Sequence, residues 1–302
     1  MADATTQDVT HVLSVLGRHA AALGRALPKA ADGDVRGVHR ARVATRRLRE
    51  AVPVVGGDEA LARRLRRLTR ALGPVREMDV CRALIRDLAA EGAWPARVVN
   101  RLDAACADDR DRARRRLATT VKHVDGEHLV RAIAGLTTEL SRPSAARAIA
   151  AALQARVAKR AAELTRAITD AGTVYAPERL HVVRKAAKKL RYAVEMSPPA
   201  VRRTAAGLRR VQEELGTLHD WQMVQRRLQA LATGGHDAWL LRVATGLERG
   251  MEARCRERHG AILQRFPAML RMLDRLQAAV RVRPRAVRAR AAARVLRFRR
   301  TA

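Results

Sequence analysis

Apolar residues recur along most of this chain at the spacing of an α-helix. In the first such segment, the apolar stripe consists of Val12, Leu13, Leu16, Leu23 and Leu27. Similar stripes predict helices over residues 9–27, 35–55, 58–73, 75–90, 95–121, 145–170, 177–196, 201–215, 218–232, 238–266 and 267–280. The chain is rich in Ala, Leu and Arg, which favour helices, and little of it has the composition of strands. The pattern therefore predicts an all-α fold.

Glycine and proline set several of the predicted helix ends. Asp58 is placed to cap a helix that begins directly after it. The pair Gly73-Pro74 is predicted to end that helix, because proline interrupts helical hydrogen bonding. The pair Leu215-Gly216 is predicted to end a later helix in a similar way.

Two motifs occur twice, in the same order and at nearly the same separation. The stretch "VHRARVATRRLREAV" at residues 38–52 is matched by "LHVVRKAAKKLRYAV" at residues 180–194. The stretch "RRLTRALGPVRE" at residues 66–77 is matched by "RRVQEELGTLHD" at residues 209–220. Two pairs with nearly the same offset predict that the chain consists of two homologous helical halves.

The predicted domain organisation follows from this repeat. The stretch "SRPS" at residues 141–144 is the predicted boundary between an N-terminal half at residues 5–140 and a C-terminal half at residues 145–280. A basic tail at residues 281–302 contains nine arginines and no acid. Such a tail is either a solvated end that attracts any polyanion weakly or a dedicated binding site.

Each copy of the first motif places a row of cations on one face of a helix. The rows consist of His39, Arg42, Arg46 and Arg49 in the first copy and of His181, Arg184, Lys188 and Arg191 in the second. The spacing i, i+3, i+7, i+10 confines a row to an arc of about 80° and a length of about 15 Å. Aliphatic residues occupy the opposite side, so we expect each helix to bury that side and to present its nitrogen donors on the other.

An ordinary charged surface is the alternative to a binding site for these rows. Exposed helix faces usually mix charges of both signs, but Glu50 is the only acid between Arg36 and Ala51. The cations also keep the same register in both copies, with the histidine at the same end. Both features favour binding, and guanidinium groups bind phosphate oxygens in a bidentate manner without losing their charge.

The composition indicates a polyanionic partner. The chain of 302 residues has 61 Lys and Arg against 30 Asp and Glu, a net charge of +31. Repulsion on that scale disfavours a compact state unless anions neutralise it. A codon bias would explain the preference for Arg over Lys, but it would not explain the shortage of acids. Nucleic acid, an anionic membrane and an inorganic polymer are all candidates at this point.

The paired motifs resemble those of the CHAD family, the conserved-histidine α-helical domain. The stretch "VHRARVATRRLREA" is followed by "LGPVREMDV", and "LHVVRKAAKKLRYAVE" is followed by "LGTLHD". The resemblance covers residues 5 to 275, nearly the whole chain. It implies two homologous four-helix bundles with pseudo-twofold symmetry around a basic central cavity. It also implies binding of inorganic polyphosphate and association with polyphosphate granules.

The resemblance further implies a set of polyphosphate-binding residues. They are His39, Arg42, Arg46, Arg47, Arg49, Arg67, His181, Arg184, Lys188, Lys189, Arg191 and Arg210. Arg67 and Arg210 hold equivalent positions on the helix that follows each basic helix. The Arg-Asp-x-Asp sequence that is usual in the family is "REMD" at residues 76–79 here, a conservative change.

We find no motif for catalysis. A P-loop is absent, and so is the E-x-E-x-K signature of the triphosphate-tunnel hydrolases that often accompany CHAD domains. His123, Asp125, Glu127 and His128 are candidate metal ligands, but they lack a recognised zinc spacing and have no counterpart in the other half. We therefore expect no enzymatic activity, no metal and no cofactor.

The protein is expected to be cytoplasmic. The three cysteines are far apart in sequence, which suggests free thiols in a reducing compartment. The N-terminus is polar and acidic, so it predicts no secretion signal. No apolar run approaches the roughly 18–20 residues that a membrane helix needs. The resemblance to the CHAD family adds polyphosphate granules as the expected location.

Two other functions stay open. Sequence-independent nucleic-acid binding fits the excess positive charge and the basic tail. However, the residues that stack on bases are scarce, with two Phe, two Tyr and three Trp, and no helix-turn-helix or zinc module is evident. A granule scaffold that recruits acidic proteins fits the same basic surface.

Overall fold

The computed structural model describes residues 2–92, 94–140, 143–233 and 237–280, without the side chains of residues 2–8, 139, 143 and 144. This described part consists of helices joined by short turns and contains no strand, which confirms the all-α fold. The helices are α1 (Ala2–Ala31), α2 (Val35–Ala51), α3 (Glu59–Ala90), α4 (Ala96–Val124), α5 (Gly126–Glu139), α6 (Pro143–Ala171), α7 (Pro177–Glu195), α8 (Pro199–Thr204), α9 (Leu208–Thr233), α10 (Ala238–Leu263) and α11 (Phe266–Val280).

Leucine, alanine and valine build the core of this aromatic-poor chain. The predicted stripe of α1 is buried at Val12, Leu16, Leu23 and Leu27, and Leu13 is partly buried beside it. The stripes of the other helices join it in one continuous apolar cluster. Burial of each Leu or Val side chain contributes about 1.5–3 kcal/mol. Across the described ranges, none of the helices has the length and apolar character that crossing a membrane requires.

The predicted helix end at Gly73-Pro74 is wrong, because α3 continues through it. Pro74 donates no backbone hydrogen bond, so the helix loses one bond at this point. Leu72 and Val75 are nevertheless fully buried on either side of this pair. Gly73 is also buried, and its nearest neighbour outside α3 is Arg42 of α2. A Cβ atom on Gly73 would lie 3.1 Å from Nη1 of Arg42. Tertiary packing therefore outweighs the local interruption.

The predicted helices at 201–215 and 218–232 are also wrong in their bounds. The short helix α8 is followed by a turn, and α9 then runs as one helix from Leu208 to Thr233. Leu215 and Leu218 are each 1% exposed on either side of Gly216. Their burial outweighs the roughly 1 kcal/mol that a glycine costs inside a helix.

The candidate metal ligands lie at the adjoining ends of α4 and α5. Asp125 joins α4 to α5 with a φ of 48°, and its side chain accepts a hydrogen bond from the backbone N–H of His128. His123 Nδ1 lies 2.7 Å from the carbonyl oxygen of Thr119 within α4. In the ranges that the structure describes, no group of three or more His, Cys, Asp or Glu side chains is arranged to hold a metal ion.

Helices α1–α5 pack among themselves, and α6–α11 form a second packed group. These two groups of helices are called the N-terminal and the C-terminal half below. Between the groups, α1 packs on α6, α2 on α7 and α3 on α9. The last two pairs join helices that carry matching copies of the repeat. The pseudo-twofold relation of two bundles and the division at residues 5–140 and 145–280 stay predictions. Ser141, Arg142 and the basic tail at 281–302 lie outside the described residues.

Buried ion pairs fasten the two groups of helices to each other. Glu50 of α2 is 5% exposed and accepts hydrogen bonds from Arg156 Nε at 2.8 Å and Arg160 Nη2 at 2.9 Å, both on α6. Glu163 accepts a further bond from Arg160 Nη1 at 2.7 Å. Burial by itself would lower the pKa of Arg160, but the hydrogen bonds and charges of Glu50 and Glu163 raise it. Glu50, the only acid among the cations of α2, therefore stabilises the contact between α2 and α6.

We predict that Glu50→Gln lowers the free energy of unfolding by about 3 kcal/mol, because it leaves buried guanidinium groups without a matching charge. Urea denaturation followed by circular dichroism measures this. Glu213→Gln is the control, since Glu213 pairs with Arg209 on an exposed helix face, and we expect a change within about 0.5 kcal/mol. Equal effects of the two substitutions would show that Glu50 does not fasten α2 to α6.

Candidate anion-binding site

The two cationic rows meet because the helices that carry them are amphipathic. The buried sides consist of Val38, Ala41, Ala44 and Leu48 on α2 and of Val183, Ala187 and Leu190 on α7. Each buried side faces the core of its own half, and α2 packs on α7. The cationic sides therefore lie where the two halves meet.

Basic side chains of four helices interact electrostatically where the two halves meet. They are His39, Arg42 and Arg46 of α2, Arg76 of α3, His181, Arg184 and Lys188 of α7, and His219 and Arg226 of α9. We call these side chains the central cluster. Six of the twelve residues implied by the family resemblance belong to it.

Like charges from both halves act on Arg42 and Lys188. Burial and the neighbouring charge of Arg46 lower the pKa of Arg42 to about 10, and Arg184 adds to this effect from the other half. Burial lowers the pKa of Lys188 to about 6, together with the charges of Arg184, Arg46 and Arg42. Part of the cluster thus gives up its charge in the free protein.

Two histidines of the C-terminal half, one on α7 and one on α9, lie side by side in the central cluster. The ring centroids of His181 and His219 are 4.8 Å apart. Burial lowers the pKa of His181 to about 4 and that of His219 to about 3, with further contributions from Arg184 and Arg226. In His39, burial and the charge of Arg76 also lower the pKa. Each of these pKa values would rise beside a bound anion, since a negative charge favours the protonated ring.

Two carboxylates, Glu77 of α3 and Asp220 of α9, offset part of the positive charge. Their charges act on Arg42, Arg184 and Lys188. Burial raises the pKa of Asp220, although Arg184 and Lys188 oppose that shift. Two carboxylates against five arginines and one lysine leave the site positively charged.

Three buried nitrogen atoms of α7 lack a hydrogen-bond partner among the described residues. Arg191 Nε lies beside Glu195, whereas His181 Nδ1 and Arg184 Nε belong to the central cluster. Buried polar groups in proteins are almost always paired. Leaving a buried donor unpaired costs about 1–3 kcal/mol. Phosphate oxygens are suitable acceptors for such groups, and an anion bound in the cluster would pair both atoms.

Sequence reasoning did not include Arg76, His219 and Arg226 in the site. Arg76 and His219 hold equivalent positions in the second repeated motif, and Glu77 and Asp220 follow them in sequence. The repetition of this motif was the signal that could have identified four of these residues. Arg226 lies outside both motifs, and only the packing of α9 brings it to His181.

A comparison with protein-family models matches residues 14–229, more than half of the chain, to the CHAD domain. The chain belongs to the CHAD domain family. The crystal structure of the CHAD domain from the plant Ricinus communis is similar, with a TM-score of 0.52 and 22% identity over 91% of each chain. PptA from Streptomyces chartreusis is similar with a TM-score of 0.54 and 18% identity, over 88% of this chain and 98% of that one. At these identities the two structures show the fold alone. A search of curated protein sequences gave no match.

Three of the expected binding residues of this CHAD domain are held by acids beside the central cluster. Arg47 Nε donates to Glu195 Oε2 at 2.7 Å and thereby links α2 to the end of α7. Arg191 Nε lies 3.2 Å from the other oxygen of Glu195. Lys189 Nζ lies 3.7 Å from Glu163 Oε2. These ion pairs leave Arg47, Lys189 and Arg191 less available to a ligand than the central cluster.

The last three expected residues lie further out. Burial lowers the pKa of Arg49; Glu50 opposes the shift, while nearby arginines of α2 and α3 add to it. Arg67 is exposed and lines a groove between α3 and α4. The side chain of Arg210 is 73% exposed, with Nε 3.9 Å from Glu214 Oε1. The structure thus places the equivalent residues Arg67 and Arg210 in different surroundings.

We predict that Lys188 titrates near pH 6 and that sulfate, which stays fully ionised over this range, raises its pKa. A bound anion favours the ammonium form, so anion binding takes up a proton and weakens as the pH rises above 6. The side-chain carbon resonances of 13C-labelled lysine measure this pKa with and without sulfate. The resonance that is missing in Lys188→Arg assigns the signal. Titration at the ordinary value of about 10.4, or no response to sulfate, would contradict the prediction.

Proposed function

We propose that the central cluster binds inorganic polyphosphate without chemical change and that this binding places the protein on polyphosphate granules. The observation that carries the proposal is the pair of unpaired buried nitrogen atoms, His181 Nδ1 and Arg184 Nε, within a net positive site. Membership of the CHAD family supports the same ligand. The family resemblance implies polyphosphate binding, and the motifs that carry it lie on the helices that form the central cluster.

A linear polyanion fits the site better than a single small anion does. The part of each row that belongs to the central cluster, from the histidine to the cation seven residues on, is about 10 Å long, and α2 packs on α7. A chain of phosphates can therefore contact several cations in turn, which adds up many modest charge-assisted hydrogen bonds. Every phosphate of such a chain presents the same oxygen acceptors, so no sequence recognition is needed.

The surroundings favour polyphosphate over nucleic acid. Proteins that bind single strands stack bases on exposed aromatic rings. Here Tyr192 is 8% exposed, and the guanidinium of Arg47 lies 5.3 Å from its ring centre. Trp239 is 39% exposed, and Arg97 lies 5.5 Å from its ring centre. Tyr192 is thus too buried to stack on a base, and of these two rings only Trp239 has exposed surface, beside the guanidinium of Arg97.

We predict that Arg42→Glu combined with Arg184→Glu weakens binding of long-chain polyphosphate about 100-fold or more, since each charge-assisted bond contributes about 1.5–3 kcal/mol. Isothermal titration at near-physiological salt measures the affinity, and circular dichroism checks that helicity persists. The wild type should bind polyphosphate more tightly than single-stranded DNA at a matched phosphate concentration.

The control for that experiment is Arg209→Glu combined with Arg256→Glu, which changes the net charge equally. Both arginines are exposed and pair with acids four residues away on their own helices. We expect the control to keep most of the affinity. Equal or tighter binding of DNA by the wild type would reject the preference for polyphosphate. If deletion of residues 281–302 abolishes binding and the Arg42 and Arg184 changes do not, the tail is the site.

A further inference from the structure

A second basic feature lies in the N-terminal half, between α3 and α4. It is an open groove of about 580 Å³. Five arginines line it, namely Arg63, Arg66, Arg67 and Arg70 of α3 and Arg116 of α4. Small or polar residues complete the lining, and no acid is among them. We call this feature the α3–α4 groove.

Little within the described residues neutralises the α3–α4 groove. Glu59 lies at its edge and pairs with Arg66. Arg63 and Arg116 are exposed and form no ion pair in the described part of the chain. Exposed arginines so close together repel one another unless an anion lies between them. The shallow, positively charged lining suits a flexible polyanion.

The groove continues the positive charge of the central cluster. Arg49 is the last cation of the α2 row, and the charges of Arg46, Arg66 and Arg70 all help to lower its pKa. Arg46 in turn acts on Arg184 and Lys188 at the centre of the cluster. Positive side chains therefore follow one another from the central cluster, past Arg49, to the α3–α4 groove.

The C-terminal half lacks this continuation, although it carries the same motif. The positions equivalent to Arg70 and Ala71 are Glu213 and Glu214 on α9. Glu213 Oε1 accepts from Arg209 at 2.9 Å, and Glu214 Oε2 lies 2.7 Å from Arg265 Nε. The two halves thus share the cationic rows but differ in charge at these equivalent positions.

We propose that the α3–α4 groove is a second polyphosphate subsite, which takes the part of a long chain that extends beyond the central cluster. The inference rests on the proposed function of that cluster. We expect the polymer to extend beyond the central cluster along the N-terminal half only. At the equivalent positions of the C-terminal half, Glu213 and Glu214 neutralise the nearby arginines.

The test compares Arg63→Ala combined with Arg116→Ala against the wild type, with tripolyphosphate and long-chain polyphosphate as probes. Loss of two charge-assisted contacts should weaken long-chain binding about tenfold or more. Tripolyphosphate binding should stay within about twofold, because a ligand that short is held by the central cluster and gains little from two distant charges. The slope of log K against log salt should become shallower by about 1.4 for the long chain, at roughly 0.7 per lost contact as for single strands.

Arg209→Ala combined with Arg256→Ala is the control, with the same change of net charge on the matching helices of the other half. It should leave long-chain binding nearly unchanged, and thermal melts should show that both double variants fold. Equal losses in the two double variants, equal losses for the two probes, or no loss with the long chain would each overturn the subsite.

The outcomes also separate the subsite from the proposed function. If the wild type binds both probes and the groove variant behaves as the wild type, the subsite is wrong and the central cluster stands. If the wild type binds neither probe, the proposed function fails and the subsite fails with it. An equal loss of affinity for single-stranded DNA in the groove variant would make the groove a general polyanion surface, which contradicts the subsite.

Discussion

Repulsion between buried cations is the constraint around which this structure is organised. The packing of α2 on α7 and of α3 on α9 places the guanidinium groups of both halves close to Lys188 and lowers its pKa to about 6. Each of these helices buries an apolar face, for example the face of α2 that contains Leu48 and the face of α7 that contains Leu190. Apolar burial stabilises the arrangement, and the unfavourable charge is maintained at the junction of the halves. A site of this kind is ready for a polyanion because its donors are already in place and lack partners.

The acids of the helices around the site are placed so that they hold the halves together without neutralising the centre. Glu50 is buried against Arg156 and Arg160 of α6. Glu195 at the end of α7 binds Arg47 across the junction. These ion pairs join helices that belong to different halves. The central cluster keeps its net positive charge because the stabilising acids lie beside it.

The helical period and the repeat were sufficient to predict the all-α fold, since amphipathicity determines which face of a helix is buried. They also predicted six of the basic side chains that the structure brings together in the central cluster. They did not predict that α3 runs through Pro74, because the burial of Leu72 and Val75 depends on neighbouring helices. The ion pair between Arg47 and Glu195 could not be predicted from the sequence either, because 148 residues separate the two. Arg67 and its equivalent on α9 looked alike in the aligned motifs, and only the acids around the latter distinguish them. The local sequence pattern predicts which face of a helix is buried. Acids from other parts of the fold determine which cations remain free to bind a ligand.

The most direct test of this account is the stability of Lys188→Met at pH 7 and low salt, measured by thermal unfolding with and without long-chain polyphosphate. In the folded protein the lysine gives up a proton that the unfolded chain keeps at this pH, so its replacement by an apolar side chain should raise the melting temperature of the free protein. The same change should reduce the stabilisation that polyphosphate provides, because one of the cations that bind it is gone. A free variant that melts below the wild type and is stabilised by polyphosphate as much as the wild type would contradict the claim that repulsion at this site is relieved by a polyanion.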